Sequence, residues 1–223
     1  MKKSLQTVDR PLVAQIREQL CNHYTNLHVY PEAKRIIVKG TFPIVSNGRV
    51  LDRYSVEIEI PPDYPRSWPI VREVGGRIPR TSDCHINPDG SACLFLPDEA
   101  SIKLPKDLSF RNFLDGPVRN FFIGQSLVEL NQPWPSGERP HGAAGILEFY
   151  RELLGTQDLA IVRKYLEYLG KKEIKGHWPC PCGSGRKLRK CHRAQVYALR
   201  EKITPDLAKQ ALALISRKQN RAS

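Results

Sequence analysis

Tyr54-Ser55-Val56-Glu57-Ile58-Glu59-Ile60 alternates apolar and polar side chains over seven positions. Successive strand residues point to opposite faces, so this stretch reads as a half-buried antiparallel strand with Tyr54, Val56, Ile58 and Ile60 turned toward a core. Pro61, Pro62 and Pro65 end it, since proline supplies no donor to a ladder. Upstream, the turn signal Ser46-Asn47-Gly48 connects it to a preceding strand over 35–44, and 70–74 reads as a third, short strand. Before the strands, Asp9 and Pro11 mark a helix start, and Leu12, Ile16, Leu20 and Tyr24 recur every fourth residue as one apolar stripe.

Beyond the strands lies an irregular stretch from 75 to about 108, a length that in a compact domain is usually functional or disordered. Helical spacing then returns in three segments. These are Val118, Phe121, Phe122, Leu127 and Leu130; Ile146, Leu147, Tyr150, Leu153 and Leu154; and Leu159, Val162, Leu166 and Leu169. Thr204-Pro205 opens a last helix through Leu212 and Ile215. The order of helix, meander, long loop and helices predicts an α+β fold with helices segregated from the sheet. The expected divisions are a body over 1–156, a helical linker over 157–176 and a C-terminal module over 177–223.

That module carries the densest chemistry. Cys180-Pro181-Cys182-Gly183-Ser184-Gly185 is followed by a basic run and then by Cys191-His192. Three thiolates and one imidazole are the ligand set of a closed, four-coordinate structural zinc site. Gly183 and Gly185 let the backbone turn tightly around the ion, where a side chain is expected to crowd it. The competing reading is four unrelated residues or a disulfide. The stretch resembles the SEC-C motif, named from the C-terminus of the bacterial secretion ATPase SecA and appended to many bacterial proteins, with His where many members have a second Cys. Such a motif implies an accessory module rather than an activity.

The formal net charge of +12 is concentrated there. Residues 171–223 hold 14 Lys and Arg against 3 Asp and Glu, whereas residues 1–170 hold 21 against 20. A basic tail suits nucleic acid, an acidic protein or an anionic surface, and equally a solvated tail. No secretory leader is readable, and no stretch approaches the ~18 consecutive apolar residues of a spanning helix. With cysteines that read as ligands or a reactive thiol rather than a disulfide framework, these features predict a cytoplasmic protein that does not engage a membrane.

A second constellation lies in the long loop. Tyr64-Pro65-Arg66-Ser67-Trp68-Pro69 precedes His85-Ile86-Asn87-Pro88-Asp89-Gly90-Ser91-Ala92-Cys93-Leu94. A thiolate after a polar turn is well suited to receive and pass on an acyl group, because it is nucleophilic and its thioester stays reactive. In this order of elements and motifs, residues 10–155 resemble the ubiquitin-conjugating enzyme family, with its Tyr-Pro segment, His-Pro-Asn tripeptide and Gly-x-x-Cys-Leu nucleophile. The resemblance implies that fold, with Cys93 as thioester nucleophile, Asn87 as oxyanion donor or loop-ordering residue, and His85 as a structural partner of the loop. It also implies a ubiquitin-like protein, an activating enzyme and a target carrying an acceptor amine as partners. The setting resembles bacterial members encoded beside ubiquitin-like modification or antiphage signalling systems. Two departures are visible: Ile86 stands where the family has Pro, and the Asn87-to-Cys93 gap is two residues shorter than in the usual eukaryotic pattern.

Other readings stand beside these. Cys93 can be a small core hydrophobe flanked by Ala92, Leu94 and Phe95. The same fold can act as a non-catalytic adaptor whose basic zinc tail binds protein or nucleic acid. A cysteine peptidase pairing Cys93 with His141 lacks a readable third group. A metallohydrolase is disfavoured, because four protein ligands leave zinc no open position. Cys84, His85 and Cys93 lack a clear fourth ligand for a metal. Cys84 reads as structural or incidental, and Cys21 is expected to pack beside the first helix's stripe. The Pro- and Gly-rich segment 133–142, with Trp134 and His141, is either a lid over Cys93 or a rigid connection.

Overall fold

The computed structural model describes residues 9–33, 35–105, 107–135, 140 and 142–219. Its strands are β1 (Leu27–Glu32), β2 (Arg35–Ser46), β3 (Arg49–Ile60) and β4 (Ile70–Glu73). Its helices are α1 (Arg10–Cys21), α2 (Pro97–Lys103), α3 (Phe110–Phe113), α4 (Arg119–Glu129), α5 (Gly142–Leu154), α6 (Leu159–Leu169), α7 (Arg193–Lys202) and α8 (Pro205–Gln219). The chain is α+β, with a four-stranded antiparallel sheet in the order β1-β2-β3-β4 and flanking helices. Among the described residues, no helix is long and apolar enough to cross a membrane.

The chain divides into two compact units. The first comprises the described residues of 1–94 and 106–138. In β3, Tyr54, Val56, Ile58 and Ile60 are buried as the alternation predicts. On the outer face Glu57 pairs with Lys39 at 2.9 Å, and Glu59 meets Arg35 at 3.2 Å and Arg72 at 3.4 Å. Asp9 caps α1, its Oδ1 accepting from the Leu12 N–H at 3.1 Å, which satisfies a donor the helix itself leaves open.

Strand β1 has no counterpart in the sequence-based expectation. It is an edge strand in which Leu27 alone is buried, so period-two patterning is nearly silent, and its Pro31 is tolerable only at an edge. The helix expected from 118 begins earlier. α3 runs through a π-helical turn, Leu114–Val118, into α4, and Pro117 sits inside that turn. A widened turn is a usual way to carry a residue that lacks an N–H within a continuing helix. An aromatic column joins helix to sheet: Phe122 lies 4.5 Å from Tyr54 and 5.5 Å from Phe42, which stacks on Tyr24 at 5.3 Å. Arg77 forks onto Asp52 at 2.6 and 2.8 Å and reaches Glu129 at 2.5 Å, while its guanidinium lies 4.4 Å from the Tyr54 ring centroid. Arg77 thereby ties β3, the loop after β4 and the end of α4 together, and holds the Asp52 carboxyl down at about 2.

The second unit comprises the described residues of 95–105 and 139–223. Its core collects Ile146 and Tyr150 from α5, Val162 and Leu166 from α6, Leu188, Val196 from α7, and Ala208 and Ala211 from α8. This grouping falls elsewhere than the expected divisions at 156 and 176. α5 and α6, expected in the body and the linker, share one apolar core with the Cys-His module, because their stripes face each other and Leu188. α7, which carries only two buried residues, Val196 and Leu199, was too weakly patterned to predict. A buried polar pair, which no local pattern marks, lies in the same core: Tyr150 donates to Asp98 Oδ1 at 2.5 Å, and both residues are at most 2% exposed.

Candidate functional site

The Cys-His module is a hairpin pinned by its backbone. The Cys180 N–H donates to the Arg186 carbonyl at 2.8 Å, Leu188 N–H to Trp178 at 2.8 Å, and Arg189 N–H to Gly176 at 2.9 Å, around an isolated antiparallel bridge between Pro179 and Lys187. Gly183 and Gly185 take φ of +79° and +73°. A Cβ at either position would meet nothing within 4 Å. The expected crowding is therefore not the reason for glycine; the left-handed backbone is. Leu188, fully buried, anchors the returning arm, and His192 immediately precedes α7.

This geometry brings all four expected ligands together. One ligand atom from each of Cys180, Cys182, Cys191 and His192 lies within 4.8 Å of the other three. The Cys182 and Cys191 sulfurs are 3.7 Å apart, and His192 Nδ1 is 3.4 Å from Cys180 Sγ and 3.3 Å from Cys191 Sγ. Burial opposes ionisation of both Cys180 and Cys182. At Cys182 it is outweighed by the Ser184 hydroxyl, 3.2 Å away, the Ser184 N–H and the neighbouring thiols, which bring this thiol down to about 6. For Cys180, desolvation prevails and raises the thiol. The arrangement can hold a metal ion with four protein ligands. A model of the SEC-C motif matches residues 179–194. No curated protein and no solved structure matches the chain.

The second candidate lies in the first unit. Residues 86–92 form a miniature hairpin: Ile86 bridges Ala92, Asn87 N–H donates to the Ser91 carbonyl at 2.8 Å, and Gly90 N–H to Asn87 at 2.9 Å. Ala92 N–H donates to Val71 at 2.7 Å, which ties the hairpin to β4. Cys93 follows directly, half-buried, with its N–H on the His85 carbonyl at 2.8 Å. Burial pushes its thiol up. The Asn87 amide donates to Ser91 Oγ at 3.0 Å, and Ser91 Oγ in turn donates to Asp89 at 2.6 Å, so Asn87 orders the turn. His85 has φ of +54°, and its ring lies 4.3 Å from that of Trp134.

The groups that hold this loop were not legible beforehand. Gln125 of α4, buried, donates to the Cys84 carbonyl at 2.7 Å. Trp134 packs over Gly124 and, at 6.1 Å, against Phe121. The beginning of segment 133–142 is thus an anchor, while His141 lies outside the described residues, so its expected lid role and pairing with Cys93 lie there too. Among the described residues, Cys84, His85 and Cys93 belong to no group placed to hold a metal. Cys21 is exposed, contrary to expectation, because it ends α1 and its Sγ turns back onto the Glu18 carbonyl at 3.0 Å.

Gly124 provides a direct test of this anchor. A Cβ there would stand 2.5 Å from the Trp134 ring, whose rigid bicycle cannot yield as a flexible chain end would. Gly124→Ala should displace Trp134 from His85 and loosen the Cys84–His85 backbone. The expected result is faster iodoacetamide alkylation of Cys93, by several-fold, with altered Trp emission. Alkylation at the wild-type rate would show that Trp134 does not restrain the loop.

Proposed function

We propose that this chain is a ubiquitin-conjugating-like acyl carrier of bacterial type, acting in the cytoplasm, with a structural zinc in its second unit. The observation that carries the enzymatic reading is the position of Cys93. It follows a hydrogen-bonded hairpin docked on the last strand of a four-stranded meander, and it is half-buried rather than sealed in the core. For the metal, zinc at about 2.3 Å from sulfur and 2.0–2.1 Å from nitrogen implies tetrahedral edges of about 3.8 Å between sulfurs and 3.6 Å from sulfur to nitrogen. The observed 3.7 Å and 3.3–3.4 Å separations lie near those edges, and a donor set of three sulfurs and an imidazole favours zinc. Four protein ligands would leave a bound ion no open position, so it would serve folding and not turnover.

In the proposed reaction the Cys93 thiolate attacks the thioester carbonyl by which an activating enzyme holds a ubiquitin-like protein. The new C–S bond forms as the activating enzyme's thiolate leaves, so the exchange is nearly isoenergetic. An amine of the target then attacks the same carbonyl and loses its proton, and the Cys93 thiolate departs as the amide forms. Asn87 orders the turn before Cys93, and the His85 carbonyl receives the Cys93 N–H; in this reading both keep the nucleophile in register. The same burial that raises the thiol keeps it largely protonated at neutral pH. The loading rate should therefore rise with pH through and beyond the ordinary thiol range near pH 8.5.

The test is reconstitution with an activating enzyme, a ubiquitin-like protein and ATP. An adduct should form, disappear on treatment with excess thiol, and be absent from Cys93→Ala. An adduct that survives thiol, or that forms equally on Cys93→Ala, removes Cys93 as carrier.

A further inference from the structure

The outer side of the metal hairpin is cationic and has no apolar anchor. Arg186, Lys187, Arg189 and Lys190 are all exposed, while Leu188 between them is fully buried. Among the described residues none of the four has an acidic partner. In the first unit, by contrast, Lys39 and Arg77 each meet a carboxylate. Their backbone is fixed by the Cys180–Arg186, Leu188–Trp178 and Arg189–Gly176 hydrogen bonds, so the charges are held in a set array rather than on a loose tail. Lys171, Lys172 and Lys175, also exposed, extend the basic character of the same unit.

We infer that this hairpin face docks on the phosphate backbone of double-stranded nucleic acid. A protein partner would need a buried apolar or aromatic centre for its affinity, and the exposed residues from Gly183 to Lys190 are Gly, Ser, Arg and Lys. Single-stranded binders add aromatic platforms on which bases stack. Trp178, at the base of the hairpin, packs on the core, with Lys171 Nζ 4.4 Å from its ring centroid and Tyr168 edge-on at 5.6 Å, and Tyr197 of α7 is covered by Arg193 at 5.5 Å. A duplex backbone requires cations alone. Residues 186–190 span at most about 14 Å of extended chain, about four base-pair rises. Such contact is independent of sequence and of Cys93 chemistry, and would concentrate the protein on polyanion.

The experiment is fluorescence anisotropy of the full, metal-loaded chain with a labelled duplex of arbitrary sequence at 50–200 mM salt. If all four cations engage, the slope of log K against log salt is about −3.6, a loss of roughly 100-fold across that range. The fourfold variant R186A/K187A/R189A/K190A, with metal content as its control for folding, should abolish the slope. Should it lose metal, the pair Lys187→Ala and Lys190→Ala is expected to reduce the slope by about 1.8. Salt-independent binding, unchanged binding by either folded variant, no binding at 50 mM salt, or tighter binding to a single strand would overturn the inference. So would tighter binding to polyglutamate, which would instead make this a site for an acidic protein.

Discussion

Chelation of the metal, or the paired change Cys180→Ser and Cys182→Ser, should unfold the hairpin and loosen the core of the second unit with it. Without an ion, three sulfurs and an imidazole are held within 4.8 Å, and thiolates there repel one another. With the ion, the same groups supply binding energy that is also folding energy, about 10–16 kcal/mol in isolated zinc modules near neutral pH. The hairpin is not a free appendage. Cys180 and Leu188 are core residues beside Val162, Leu166 and Val196, so losing their positions uncovers α6 and α7. Metal analysis should show one ion per chain in the wild type and none in the variant. Circular dichroism should show a loss of helix larger than the hairpin itself could account for. A variant free of metal that retains wild-type helicity and thermal midpoint would show that the four ligands are dispensable to the fold.

Tyr150→Phe should destabilise that unit by about 1.5–3 kcal/mol at neutral pH, the usual worth of a buried hydrogen bond to a charged group. Burial raises the Asp98 carboxyl, and the Tyr150 hydroxyl partly offsets this by hydrogen bonding. The native state of the wild type thus holds its proton more tightly than the unfolded chain. Its contribution to stability is fully present below the unfolded value near 3.9 and is lost as pH rises through the higher folded value. Phenylalanine keeps the packing but removes the donor, pushing Asp98 further up, so the variant's deficit should be largest near pH 7 and shrink as pH falls and Asp98 takes up its proton. Denaturant titrations of both proteins across pH 4–8 measure this directly. A deficit that stays constant with pH would assign it to packing alone and remove the charge argument. Asp98→Asn, which is neutral at every pH, should flatten the dependence.

The two candidate sites differed in how far local sequence could report them. The four candidate ligands lie within thirteen positions, closed by one turn, so ligand type and spacing carried the information, and the tertiary structure added only that their hairpin is part of a larger core. The Cys93 region depends on contacts made at a distance. Gln125 reaches Cys84 across 41 positions, and Trp134 meets His85 across 49, and neither residue carries a pattern that marks it. Asn87 was legible as a turn residue, and its bond to Ser91 is local. The exposure of Cys21 was not legible, because a stripe assigned by spacing cannot register that the helix ends at that residue.

The β3 alternation, the capped first helix and the ligand set were determined by sequence alone, because each rests on a period or spacing within one element, where backbone geometry dictates which side chains share a face. The allotment of α5 and α6 to the core that contains Leu188, the burial of Asp98 against Tyr150 and the clamp on the Cys84–His85 backbone were decided only by tertiary structure. Each joins residues from separate elements, and apolar stripes specify that a face must be covered without specifying by which neighbour.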